Sequence, residues 1–132
     1  MGVEQVYIDY FTRAKEYDNK KKSGKPYRKD DELETIAEIL NKERFITCHS
    51  YIQSEINMLM KVAEKFNFNM NTFTHIREGY KVADKMKQHG VGASTFSDWW
   101  AYKYEVNDAI PYNGQFYTIK ELPLHSILTM QK

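Results

Sequence analysis

Between Arg44 and Thr95 the apolar pattern changes period repeatedly, and that alternation limits the chain to very few architectures. Arg44 to Cys48, RFITC, is a short apolar and β-branched run of the kind that forms a buried strand, and it ends at His49. From about Ile52 to Phe66 the spacing becomes helical, with Ile52, Ile56, Leu59, Met60, Ala63 and Phe66 on one face. A second strand is expected around Asn69 to Thr74, ending at His75. A second helix follows from about Glu78 to Gln88 and stops at His89 and Gly90, where glycine can take the left-handed cap. Val91 to Thr95 reads as a third strand. Strand, helix, strand, helix, strand, with whole units joined by long crossovers, predicts an α/β fold with a parallel sheet.

Two helices are expected ahead of this unit. Val3, Val6, Tyr7, Tyr10, Phe11 and Ala14 recur at spacings of three and four, which predicts an amphipathic helix over residues 3–22. A shorter one is expected over Asp31 to Lys42, with acidic residues in its first turn and Leu33, Ile36, Ala37 and Leu40 as its apolar stripe. The linking run KKKSGKPYRKDD contains Gly24, Pro26 and the acidic pair Asp30 and Asp31, so it reads as a solvated, locally balanced loop.

Nothing global points to a polyanionic partner. The 19 basic and 18 acidic residues leave a formal charge of +1, so neither nucleic acid nor a membrane is expected as partner. The N-terminus lacks the pattern of a signal peptide, and no segment approaches the ~18 apolar residues of a membrane span, so the chain reads as soluble with its compartment unspecified. Cys48, the single cysteine, excludes an internal disulfide and is expected to be buried.

Parallel α/β sheets carry their functional side chains at the C-terminal ends of strands. His49 and His75 both stand there, 26 positions apart, about one βα repeat. Right-handed crossover then puts them on neighbouring strands and one rim, with rings able to converge. Two neutral imidazoles so placed are half of a zinc site, while a strand-end histidine is equally compatible with a structural hydrogen bond. Spacing alone leaves both readings open. His89 and His125 lack this context, and Glu55, Glu78, Tyr80 and Lys81 read as solvent or packing residues of the helices.

The stretches RFITCHSYIQSEINMLMKVAEKFNF, FTHIREGYKVADKMKQHGVGASTFSDWWAYKYE and NDAIPYNG resemble the large amidohydrolases related to imidazolonepropionases. The likeness covers about residues 1–114 and runs through the fifth, sixth and seventh units of a (β/α)8 barrel. It implies a partial TIM barrel of about three parallel strands, with His49 and His75 as ligands of a divalent metal, zinc by preference. It further implies hydrolysis of C–N or amide bonds of a small molecule, and makes Tyr51, Asp98 and Trp99 candidates to face that substrate. The family's His-x-His pair on the first strand has no counterpart here, nor does the aspartate of its eighth strand. Metal binding by this chain is therefore expected to be weak or absent and catalysis negligible. The alternative is a non-enzymatic interaction fragment, using a sheet edge or the WWAYKY aromatics. Three units of eight would leave open edges and an apolar inner face, so self-association is expected.

After PYNG the resemblance implies a short helix and an eighth strand ending in Asn-Ser-Asp, yet the chain reads QFYTIKELPLHSILTMQK. Residues 115–132 are accordingly expected to form a divergent, irregular tail. Back-translated with permitted codons and shifted by two nucleotides, FYTIKELPLHSILTMQK can yield LYDKGITTSFNSDDAE, which restores the motif. This predicts a frameshift near residue 115 and an internal origin for Met1. Sequencing the flanking DNA checks both: barrel-coding sequence upstream and an overlapping frame downstream are expected, and the absence of either removes the idea.

Overall fold

The computed structural model describes residues 2–96, 104 and 107–119, and the backbone of 124–128. Helix α1 spans Gly2–Lys22 and α2 Asp31–Leu40; then come β1 (Thr47–His49), α3 (Gln53–Phe66) and β2 (Thr72–Thr74). A 3-10 turn, Gly79–Val82, leads into α4 (Ala83–His89), followed by β3 (Gly92–Phe96), α5 (Asn113–Ile119) and β4 (Leu124–Leu128). The four strands among the described residues form one parallel sheet in the order β1-β2-β3-β4. This is the expected α/β class, an open sheet with the geometry of a partial (β/α)8 barrel.

Local chemistry accounts for the boundaries. Asp30 caps α2, its Oδ1 accepting from the amides of Glu32 and Leu33 at 3.1 Å each. Ile52 at the start of α3 offers no side-chain cap, and Glu78 supplies one instead, accepting from the Gln53 amide at 3.1 Å. Glu78 is thus a packing residue, as expected. Asn67 and Gly90 end α3 and α4 in left-handed conformations, with φ of 60° and 79°. Around the charged loop Lys22 pairs with Asp18, Lys29 with Asp31, and Lys21 with Glu34.

The core lies between the sheet and its helices. Ile56, Leu59 and Ala63 of α3, Phe73 of β2, Met86 of α4 and Ala93 of β3 are all buried in it. Phe11 of α1 stacks on Phe68 with ring centres 4.5 Å apart and so ties the first helix to this layer. At the N-terminal ends of the strands Asn71 clamps three elements. It exchanges two hydrogen bonds with Ile46, and its carbonyl accepts from the Gly92 amide at 2.7 Å.

Three expectations are corrected. The tail is not irregular throughout, because α5 and β4 lie within it and β4 pairs in parallel with β3. The reason is Tyr117, fully buried in the main core, which anchors α5 beside the sheet. Cys48 is only partly buried, since β1 is an outer strand. The inner face is also not apolar on β1 and β2. Phe73 points into the core, so alternation sends Thr72 and Thr74 to the opposite face, and on β1 Thr47 and His49 are exposed. Among the described residues no helix is long and apolar enough to cross a membrane.

The tightest approach is at Gly79, where an added Cβ would overlap the Tyr117 hydroxyl and sit 2.7 Å from Ile76 Cδ1. Gly79→Ala is expected to destabilise the protein by about 1–3 kcal/mol through overpacking, read as a lower urea midpoint at unchanged slope.

Candidate metal and substrate site

The site begins at the peptide that follows His75. The Ile76 amide donates to the Ser94 carbonyl at 3.3 Å, tying the end of β2 to β3. Its carbonyl accepts from Asn113 Nδ2 at 2.7 Å, Thr95 Oγ1 at 2.9 Å and the Tyr117 hydroxyl at 3.4 Å. Held by that knot, His75 takes a left-handed backbone with φ of 60°. For a residue with a Cβ this costs on the order of 1–2 kcal/mol and persists only where surrounding contacts impose it.

The consequence is a row of rings across three strand ends. His49 at the end of β1 stacks on His75, with centroids 4.5 Å apart and planes 25° apart. His75 in turn stacks on Phe96 at the end of β3, 4.8 Å away and within 9° of parallel. The Arg77 guanidinium lies 4.6 Å from the Phe96 ring centre, and its NH1 donates to the Phe96 carbonyl at 3.1 Å. Tyr51 stands at the edge of the row, its ring 6.5 Å from His75.

The two histidines are thus in contact on one rim, as their spacing predicts. Asp98 and Trp99 lie outside the described residues. His89 is at the C-terminal end of α4, its Nδ1 3.6 Å from Glu64, away from the row. Glu55 accepts from the Ser50 hydroxyl at 3.0 Å, Tyr80 donates to the Asp108 carbonyl at 3.1 Å, and Lys81 pairs with Asp108 at 2.6 Å, all structural contacts.

Two residues of the site escaped the sequence reading. Phe96 was findable, because it ends β3 as His49 and His75 end their strands. Arg77 was not, since an arginine that is 0% exposed cannot be told by pattern from a solvated one.

Electrostatics favours the ligating form of His75. Burial, then the neighbouring His49, then the Arg77 charge hold its pKa below the usual imidazole value, which keeps the ring neutral. Its Nδ1 is buried and meets no hydrogen-bond partner among the described residues. Two stacked imidazoles, one of them with an orphaned nitrogen, bring two potential metal ligands onto one rim. No group of three or more potential ligands occurs among the described residues. Beside the row, a cleft of about 560 Å³ opens between α1 and β1, lined by Tyr7, Cys48, His49 and Glu55 among others. Burial and then Glu55 push the Cys48 thiol up, which makes it a poor nucleophile.

The fold has a solved counterpart. The chain is similar to an amidohydrolase. That protein, from Thermotoga maritima, superposes with a TM-score of 0.83 at 25% identity. The match covers 98% of this chain and 34% of the amidohydrolase, so the chain spans about a third of its neighbour's length. No family model matches the sequence, and no curated protein does.

Phe96 holds both His75 and Arg77 in place while being itself only partly buried. Phe96→Ala is expected to cost about 2 kcal/mol, below the ~3–5 kcal/mol of a fully buried phenylalanine. His49→Ala, at the exposed end of the row, should cost less than about 1 kcal/mol. Chemical denaturation of both variants checks the order.

Proposed function

We propose that this chain is a portion of a metal-dependent amidohydrolase of the imidazolonepropionase-like kind, corresponding to the fifth to seventh units of the barrel. The observation that carries the reading is the His49–His75 contact at 4.5 Å, on the C-terminal ends of adjacent parallel strands. The superposition on an amidohydrolase supports it, and the sequence resemblance implies the same two residues as ligands.

His49 and His75 would hold the ion, with Phe96 fixing the His75 ring and Arg77 fixing Phe96. A divalent ion, zinc by preference, supplies a water acidified toward pH ~7 and a Lewis acid for the scissile carbonyl of a small-molecule amide or related C–N substrate. Catalytic zinc sites use three protein ligands, so two give weak binding and no turnover by the chain alone. The absence of an acidic residue from Leu124–Leu128, LHSIL, where the resemblance expects the strand-eight aspartate, also supports the frameshifted origin of residues 115–132.

Zinc titration of the wild type and of a His49→Ala/His75→Ala double variant tests this. At a zinc concentration ~100-fold above its dissociation constant the wild type should gain about 2.7 kcal/mol of stability, and the double variant none. Equal responses in the two proteins would overturn the assignment and favour an interaction fragment.

A further inference from the structure

The loop between α1 and α2 is charge-balanced in sequence, and the fold distributes that balance unevenly. The nearby carboxylates are taken up elsewhere. Asp30 caps α2, Asp31 pairs with Lys29 at 2.9 Å and Asp18 with Lys22 at 2.6 Å, while Glu34 accepts from the Tyr17 hydroxyl at 2.5 Å and pairs with Lys21. Beside them lies a cleft of about 330 Å³, with Arg13, Glu16 and Lys20 of α1, Tyr27 and Arg28 of the loop, and the buried Tyr17 among its walls. Three cations against one carboxylate give those walls a net charge of +2. Lys20 and Arg28 have no ion-pair partner among the described residues, and the Arg13 guanidinium rests 5.1 Å from the Tyr10 ring centre. We infer that this cleft binds a small aromatic phosphate monoester.

Charge selects the anion. A phosphate monoester carries about −1.5 to −2 at neutral pH, which matches the excess on the walls, whereas a single carboxylate leaves one cation unmet. The planar forks of Arg13 and Arg28 suit pairs of phosphate oxygens, and Lys20 adds a point charge.

The aromatic part follows from Tyr27. Its ring lines the cleft, is 44% exposed, and packs edge-to-face with Tyr17, with centroids 5.4 Å apart and planes at 89°. Tyr17 is itself held by Glu34, so the surface offered to a ligand ring stands on a fixed neighbour. The loop is tied at both ends as well. At one the Gly24 amide donates to the Lys21 carbonyl at 3.2 Å, and at the other Asp30 accepts from two amides of α2, which lowers the ordering cost of binding.

Size and surroundings favour a small ligand over a polymer. The volume is near the lower end, about 300 Å³, of small-molecule sites. A nucleic acid would need a longer positive track, and Lys21, Lys22 and Lys29, which could extend it, are already paired. The cleft shares no residue with the histidine row, so this inference stands or falls apart from the metal reading.

The test is an NMR titration of the full chain with phenyl phosphate, in chelator and at low salt, with inorganic phosphate as the comparison probe. Saturable shifts confined to the amides around the cleft are expected, with phenyl phosphate binding more tightly than inorganic phosphate. Arg28→Gln and Lys20→Gln should each weaken both anions about threefold to tenfold. Tyr27→Ala should weaken phenyl phosphate and leave inorganic phosphate unchanged. All three side chains are exposed, so the variants should keep the wild-type fold, checked by circular dichroism. A wild type without saturable shifts at the cleft, an Arg28→Gln variant that binds as the wild type does, or a Tyr27→Ala variant with undiminished phenyl phosphate affinity overturns the proposal.

Discussion

The carbonyl of Ile76 is the point on which the site depends. One acceptor gathers a side-chain amide from α5, a hydroxyl from β3 and a phenol from the buried Tyr117, while the amide of the same residue is tied to β3. A residue held on both of its peptide groups leaves the preceding one little conformational choice, and His75 takes the left-handed region. The direction of the imidazole follows from that backbone, and the stack on His49 and Phe96 follows from the direction. Asn113 and Tyr117 belong to α5, so residues after the third strand position a ring that lies some forty places before them in the chain.

Much of this was legible in the sequence. The change between helical and strand periods located α3, α4, β2 and β3 to within a few residues, because each buries one face and its apolar residues must follow the geometry of that face. The spacing of His49 and His75 placed them on one rim for the same reason. The pattern failed where burial is decided by a neighbour absent from the local window. RFITC reads as a buried strand, but only Thr47–His49 is paired and Phe45 stays exposed, because β1 is an outer strand and periodicity does not distinguish outer from central. QFYTIK carries no strong signal, yet Tyr117 is wholly buried because a pocket beside Gly79 fits its ring. Arg77 is the extreme case, a charge inside the protein that meets Phe96 of the next strand, 19 residues on.

The superposition on a third of a Thermotoga maritima amidohydrolase has a physical counterpart in how this fold divides its interior. A (β/α)8 barrel has two apolar regions, one between sheet and helices and one inside the barrel. The first is local to each unit. Ile56, Phe73, Met86 and Ala93 reach one another through consecutive elements of a single chain, so four strands with their helices assemble it without help.

The second region belongs to all eight strands at once, and so does the catalytic rim. Each strand contributes one or two side chains to the mouth, and a metal site is complete only when ligands arrive from both sides of it. The four strands described here complete the first of these layers among themselves, whereas the second is shared with strands on the other side of a barrel. That split accords with a well-packed core and, among the described residues, a rim that carries two stacked imidazoles and an orphaned nitrogen. Threonine at positions 47, 72 and 74 makes the concave face of β1 and β2 wettable.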